Sequence, residues 1–237
     1  QEAELAPIIR RVAARGGVIV IPAFAIGRAQ ALMLHIARLR ERQEIPRVPV
    51  YLNSPMAINA TRHYHAHHSE HHVSEEDCER MFDVATFVNT VEESKALNRQ
   101  RGPMIIISAS GMITGGRVLH HIEAFGADDR NAILLAGYQA GGTRGAALAA
   151  GKRTLRMFGR EVPIRAEVVQ LEGFSGHADA GELLDWMRTA PSAPRIVYLT
   201  HGEPDAADTL RGRVQRELGW RARVPEHLER VALEDAR

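Results

Sequence analysis

The chain has 237 residues, 45% hydrophobic and 25% charged, so it can bury a proper core; its formal net charge of +1 announces no overall basic field, leaving only a local patch for nucleic acid. The single cysteine, Cys78, excludes an internal disulfide framework and suits a reducing cytoplasm. No apolar run reaches the ~18 residues that a membrane span needs, and no signal-peptide pattern opens the chain at Gln1.

Strand-like and helical patterns alternate from a helical start. GVIVIP (17–22) predicts a strand, and GRAQALMLHIARLRE predicts the amphipathic helix after it. VPVYLN predicts the next strand; Ser54 then suits an N-cap and Pro55 the first helical position. That helix is expected to run on into TRHYHAHHSEHH, which carries six of the chain's 12 histidines. On a helix only positions i, i+3 and i+4 share a face. His63/His67, His67/His71 and His68/His72 are such pairs, able to hold Zn²⁺ or Ni²⁺ adventitiously, while a solvated polar face explains them without any ligand. ATFVNT, the helical EESKALNR, PMIIISAS, the helical GGRVLHHIEAF and NAILLAG continue the alternation. A loop with Gly137, Gly141, Gly142 and Gly145 precedes a short helix, and TLRMFG and REVPIRAEVVQL predict neighbouring strands. The end brings a helix after His177, a strand RIVYLTHG, the helix DAADTLRGRVQREL and a last strand near RARV. The pattern implies α/β layers on a largely parallel sheet: a doubly wound unit over 1–165, then strands of a second sheet over 166–237.

Three strand-to-helix joints concentrate reactive side chains. In EVVQLEGFSGHADAGELLDW, His177 lies between Gly173, Ser175 and Gly176 and a helix start at which Asp179 and Glu182 form a capping-box pattern. In RIVYLTHGEPDAADTL, 24 residues on, His201 holds the corresponding place. Consecutive parallel strands are usually adjacent and bind ligands at their carboxyl ends, so the two imidazoles are expected to face one crevice and to ligate metal or move a proton. In IIISASGMITGGRVLHH, Ser108, Ser110, Gly111, Gly115 and Gly116 lead into a helix that begins near Arg117. Glycines and hydroxyls at a helix N-terminus make an anion site; the spacing is neither a dinucleotide fingerprint nor a P-loop, and a plain flexible turn is the alternative. One of His120 and His121 is expected to face the sheet as a satisfied polar residue, and neither is given a catalytic role.

PAFAIGRAQ, NSPMA, SASGMITGGRVLHH, GYQAGGTRGA, GFSGHAD and LTHGE, in this order, resemble the β-CASP branch of the metallo-β-lactamase superfamily, which includes bacterial zinc-dependent ribonucleases. The resemblance runs over nearly the whole chain. It implies a β-CASP doubly wound parallel-sheet domain over 1–165 and the C-terminal strands and helices of a metallo-β-lactamase αββα fold over 166–237. It implies that His177 acts as a general acid near the leaving oxygen and His201 as a zinc ligand. It also implies that the Ser108–Gly116 turn lines an RNA path, with Arg117, Arg28 and Arg144 as candidate phosphate contacts; for Arg28 a plain surface charge is an equal alternative. The chemistry implied is hydrolysis of RNA phosphodiesters by a zinc pair, in the cytoplasm and away from membranes, with self-pairing left open.

The family's H-x-H-x-D-H ligands precede the β-CASP insert, and the chain is expected to be the C-terminal part of such an enzyme, lacking that N-terminal metallo-β-lactamase segment. His63, His65, His67 and His68 spell H-x-H-x-H-H, one residue away, but on a helix residues two apart diverge. One zinc ligand holds no zinc pair, so the chain alone is expected not to cleave RNA. Two other readings stay open: a non-catalytic RNA-binding or scaffold module of the same family, and an unrelated α/β domain that takes a nucleotide phosphate at the Ser108–Gly116 turn.

Overall fold

The computed structural model describes residues 1–171, 173–174 and 176–232. In chain order the strands are β1 (Val18–Pro22), β2 (Val50–Leu52), β3 (Thr86–Phe87), β4 (Met104–Ser108), β5 (Ala132–Ala136), β6 (Thr154–Met157), β7 (Arg160–Pro163), β8 (Glu167–Leu171), β9 (Val197–Tyr198) and β10 (Ala222–Arg223). The helices are α1 (Glu2–Ala14), α2 (Arg28–Glu41), α3 (Pro55–Ala66), α4 (Glu75–Asp83), α5 (Val91–Leu97), α6 (Val118–Phe125), α7 (Arg144–Ala149), α8 (Ala180–Arg188) and α9 (Pro204–Arg213). They form two compact units, Gln1–Ser175 and Gly176–Arg237.

In the first unit six parallel strands run in the order β3-β2-β4-β1-β5-β8. β1, β4 and β5 are buried along their whole length, as continuous apolar runs covered on both faces must be. Alternate residues of these strands feed opposite layers. Ile19, Ile21, Ile105, Ile107 and Leu134 pack toward α1 and α2, whereas Val18, Val20, Ile106, Ile133 and Leu135 pack with Ile122 of α6 and Leu155 and Val162 of the β6–β7 hairpin. The fold class read from the alternation is the one observed.

β6 and β7 pair antiparallel, as expected of neighbours, but β8 instead pairs parallel with β5, from Ala132↔Glu167 to Ala136↔Leu171. Glu167 accepts from Arg15 at 2.8 Å and from Arg11, which ties that edge strand to α1. The two units therefore divide ten residues beyond the boundary expected at 165, because β8 completes the first unit's sheet.

The second unit is thinner. β9 and β10 form a two-stranded parallel sheet, and Leu184, Val214 and Ala222 are its buried core. Ser54 and Asp179 cap α3 and α8 as the sequence predicts, and Asp179 and Glu182 complete a reciprocal capping box. α3, however, ends at Ala66, followed by a tight turn over His68–Glu70. The pairs His67/His71 and His68/His72 are thus not helical; His71 packs instead on Tyr64, with ring centroids 5.3 Å apart, and its Nε2 lies 3.8 Å from the Cys78 sulfur. No helix among the described residues is long and apolar enough to cross a membrane.

Candidate nucleic-acid interface

The carboxyl ends of β2 and β4 meet in a buried polar network. Asn53, the residue after β2, is fully buried and satisfies every polar atom it has. Its Nδ2 donates to Ser94 Oγ at 2.8 Å and to His121 Nε2 at 2.7 Å, its Oδ1 accepts from Arg117 Nη1 at 2.8 Å, and its carbonyl accepts from Ser108 Oγ at 2.8 Å. His121 Nδ1 in turn lies 2.6 Å from Asn98 Oδ1. Asn53 can only donate from Nδ2 and Asn98 Oδ1 can only accept, so His121 is the neutral Nδ1–H tautomer. Burial, with smaller contributions from the charges of His120 and Arg117, pushes the His121 imidazole down to about 4. Of the two adjacent histidines, His121 is the one that faces the sheet, as a satisfied polar group.

Above this network lies the turn after β4. Ser110 Oγ accepts from the backbone N–H groups of Thr114 and Gly115, and Gly115 O accepts from Ser110 N. The turn is thus closed on itself, and part of the N–H set expected to bind an anion is already engaged. Gly116 has φ 79, and a Cβ there would sit 2.5 Å from Ala109 O, so this position requires glycine. Gln139, after β5, donates Nε2 to Gly111 O and Gly137 O and so joins two glycine corners.

The expected site residues do not all reach solvent. Ser108 is buried against Asn53 and supports the turn from below. Arg117 donates to Asn53 Oδ1, Val88 O and Asn89 O, and Arg144 donates to Arg156 O, Ile113 O and Thr114 O. Both guanidinium groups brace loops from within. Arg28 differs. It lies along Gly137, its Nε is shut off from solvent with no partner among the described residues, and burial alone lowers its pKa. The sequence does not single out Asn53 or Gln139; for Asn53 the available signal is a polar residue directly after an apolar strand, and Gln139, three residues past β5, carries none.

In the second unit, His177 is exposed just before the Asp179 cap, and His201 is exposed in a left-handed backbone conformation, φ 67. Ser175 of the same motif lies outside the described residues. The strand before His177, β8, pairs with β5 in the first unit, and the strand before His201, β9, pairs with β10 in the second. Zinc takes about four N, S or O ligands. Among the described residues no three histidine, cysteine or acidic side chains converge to hold a metal, so these donors do not by themselves fit a zinc site.

Comparison with known proteins adds to this geometry. The Beta-Casp domain model matches residues 29–148, and the model described as a Zn-dependent metallo-hydrolase RNA specificity domain matches residues 161–225. The chain is 39% identical over 209 residues to Ribonuclease TTHA0252 of Thermus thermophilus, covering 85% of this chain and 47% of that protein. It is 31% identical over 243 residues to the transcription termination factor FttA of Methanosarcina mazei, covering 98% of this chain and 38% of that one. An RNase J-like protein of Methanocaldococcus jannaschii is 32% identical over 203 residues, covering 85% of this chain and 47% of its own length. The chain therefore spans less than half the length of each of these relatives. With one family model covering half of the chain and a second following it in the expected order, the chain belongs to the β-CASP family of metallo-β-lactamase-fold ribonucleases.

Proposed function

We propose that this chain is the RNA-clamping part of a zinc-dependent ribonuclease that hydrolyses phosphodiester bonds in RNA processing or decay. The observation that carries the reading is the braced, glycine-lined turn at the carboxyl edge of the parallel sheet, held by Asn53, Gln139 and Arg144 in a chain whose relatives include a named ribonuclease. Ser110, Gly111, Gly115 and Gly116 border the RNA, with Ser108 and Arg117 supporting them. His177, exposed ahead of α8, gives its proton to the leaving ribose oxygen, and His201 supplies one imidazole to a metal centre of two zinc ions. The other ligands come from polypeptide equivalent to the half of the relatives that this chain does not cover, with self-association of the whole protein a further part of the reading. Buried, unpaired Cys78 accords with a reducing cytoplasm.

The purified 237-residue chain is expected to bind RNA with a salt-dependent affinity and not to cleave it. Filter binding at two salt concentrations tests the first part. Chelator-sensitive cleavage by the isolated chain, abolished by His177→Ala, would overturn the second. One other reading, a non-catalytic RNA-binding module, rests on the match of residues 161–225 to the RNA specificity domain model. It predicts that the chain joined to the missing half still binds RNA and does not cleave it, whereas the ribonuclease reading predicts cleavage that falls about 10²- to 10⁴-fold in His177→Ala.

A further inference from the structure

Large apolar side chains stand exposed along the carboxyl edge of the six-stranded sheet: Phe24 and Ile26 after β1, Met56 after β2, Val91 after β3 and Tyr138 after β5. Phe24 is held in place by its neighbours. A Cβ on Gly111 would come within 2.9 Å of its ring and 3.0 Å of its backbone nitrogen, so an edge of the ring rests on that glycine. The backbone around it is pinned by Ala23 N donating to Ser108 O and Ala29 N donating to Phe24 O. Even so, 48% of Phe24 stays exposed. At the end of the same loop, as the first residue of α2, is Arg28, a partly buried cation with an orphaned Nε and no acidic partner among the described residues.

We propose that Phe24 and Arg28 form a nucleotide subsite, in which the Phe24 ring stacks on an unpaired base and Arg28 takes the neighbouring backbone phosphate. This rests on the RNA-binding reading above and narrows it to single-stranded RNA. A fixed aromatic ring beside a cation is the pairing that single strands use, because every base has a face to stack and every linkage carries a charge. Bases inside a duplex have no free face to give. A protein surface fits less well, since closing it over Arg28 would bury an unpaired charge that an RNA phosphate neutralises.

The test measures binding by the full chain of three oligomers: a single-stranded RNA octamer, the same octamer without bases, and the corresponding duplex. Wild type is expected to prefer the intact single strand. Phe24→Ala and Phe24→Leu should lower that affinity about five- to hundredfold, leave the base-free octamer unchanged and keep the salt slope, and Phe24→Tyr should restore binding. Phe24→Leu keeps an apolar contact for Gly111, so its loss reports the flat ring rather than the fold. Arg28→Gln should weaken both octamers and reduce the salt slope by about 0.7. Equal loss for intact and base-free octamers in the Phe24 variants, or no loss in either, overturns the stacking proposal and leaves the RNA reading standing. Failure of wild type to bind any oligomer at low salt overturns both.

Discussion

His121 should make stability depend on pH in a window that no surface histidine can reproduce. Its ring is fully buried, and its two nitrogens are held as acceptor and donor by Asn53 and Asn98. The folded imidazole titrates at about 4 and the unfolded one near 6.5. Between those values the unfolded chain binds more protons, so the stabilisation is fully present above pH 6.5 and is lost as pH falls toward 4. Two and a half units at about 1.4 kcal/mol each give a total loss of about 3–4 kcal/mol, of which about 2 kcal/mol is gone by pH 5. Glutamine offers the same acceptor and donor without titrating. Urea unfolding of wild type and His121→Gln from pH 7.5 to 4.5 isolates the effect, because the remaining histidines are common to both. The two stability curves should separate progressively below pH 6.5. Curves that stay parallel to pH 4.5 would show that His121 is not the neutral group in this network.

Two further substitutions test other parts of the frame. Gly145→Ala would put a Cβ 1.7 Å from Gln139 Oε1, forcing the amide off the Gly111 and Gly137 carbonyls; a loss of about 1–3 kcal/mol in unfolding free energy is expected, and an unchanged value would show that the contact yields freely. Asp179→Ala removes the acceptor for Gly181 N and Glu182 N at 2.7 and 2.9 Å, which should cost about 1 kcal/mol and speed amide exchange in the first turn of α8; unchanged exchange there would refute the cap.

The parts of the fold readable in the sequence are those decided locally. VIVIP, MIIIS and AILLA are apolar throughout because both faces of the sheet are covered, and Ser54 and Asp179 cap helices through bonds that span only two or three residues. Strand order was not readable: nothing near β1 says that its neighbours are β4 and β5. The inward direction of Arg117 and Arg144 was hidden for the same reason, since their acceptors lie about 30 residues away in sequence or more for most of their bonds. An arginine beside a glycine-rich turn looks like a phosphate contact until the carbonyls it holds are in view. In the histidine strip, the solvated face is legible in the composition, whereas the end of the helix at Ala66 is not, so the pairs beyond it lose their helical spacing.

The place of β1 at the centre of the sheet has a consequence for how the chain emerges from the ribosome. Residues 18–22 leave the ribosome well before their partners at 104–108 and on β5. At roughly 5 to 20 residues added per second, this oily pentapeptide waits on the order of ten seconds for a neighbour to hydrogen-bond with. During that interval it is a natural target for nascent-chain chaperones, and slowing translation between residues 22 and 104 should lengthen the exposure.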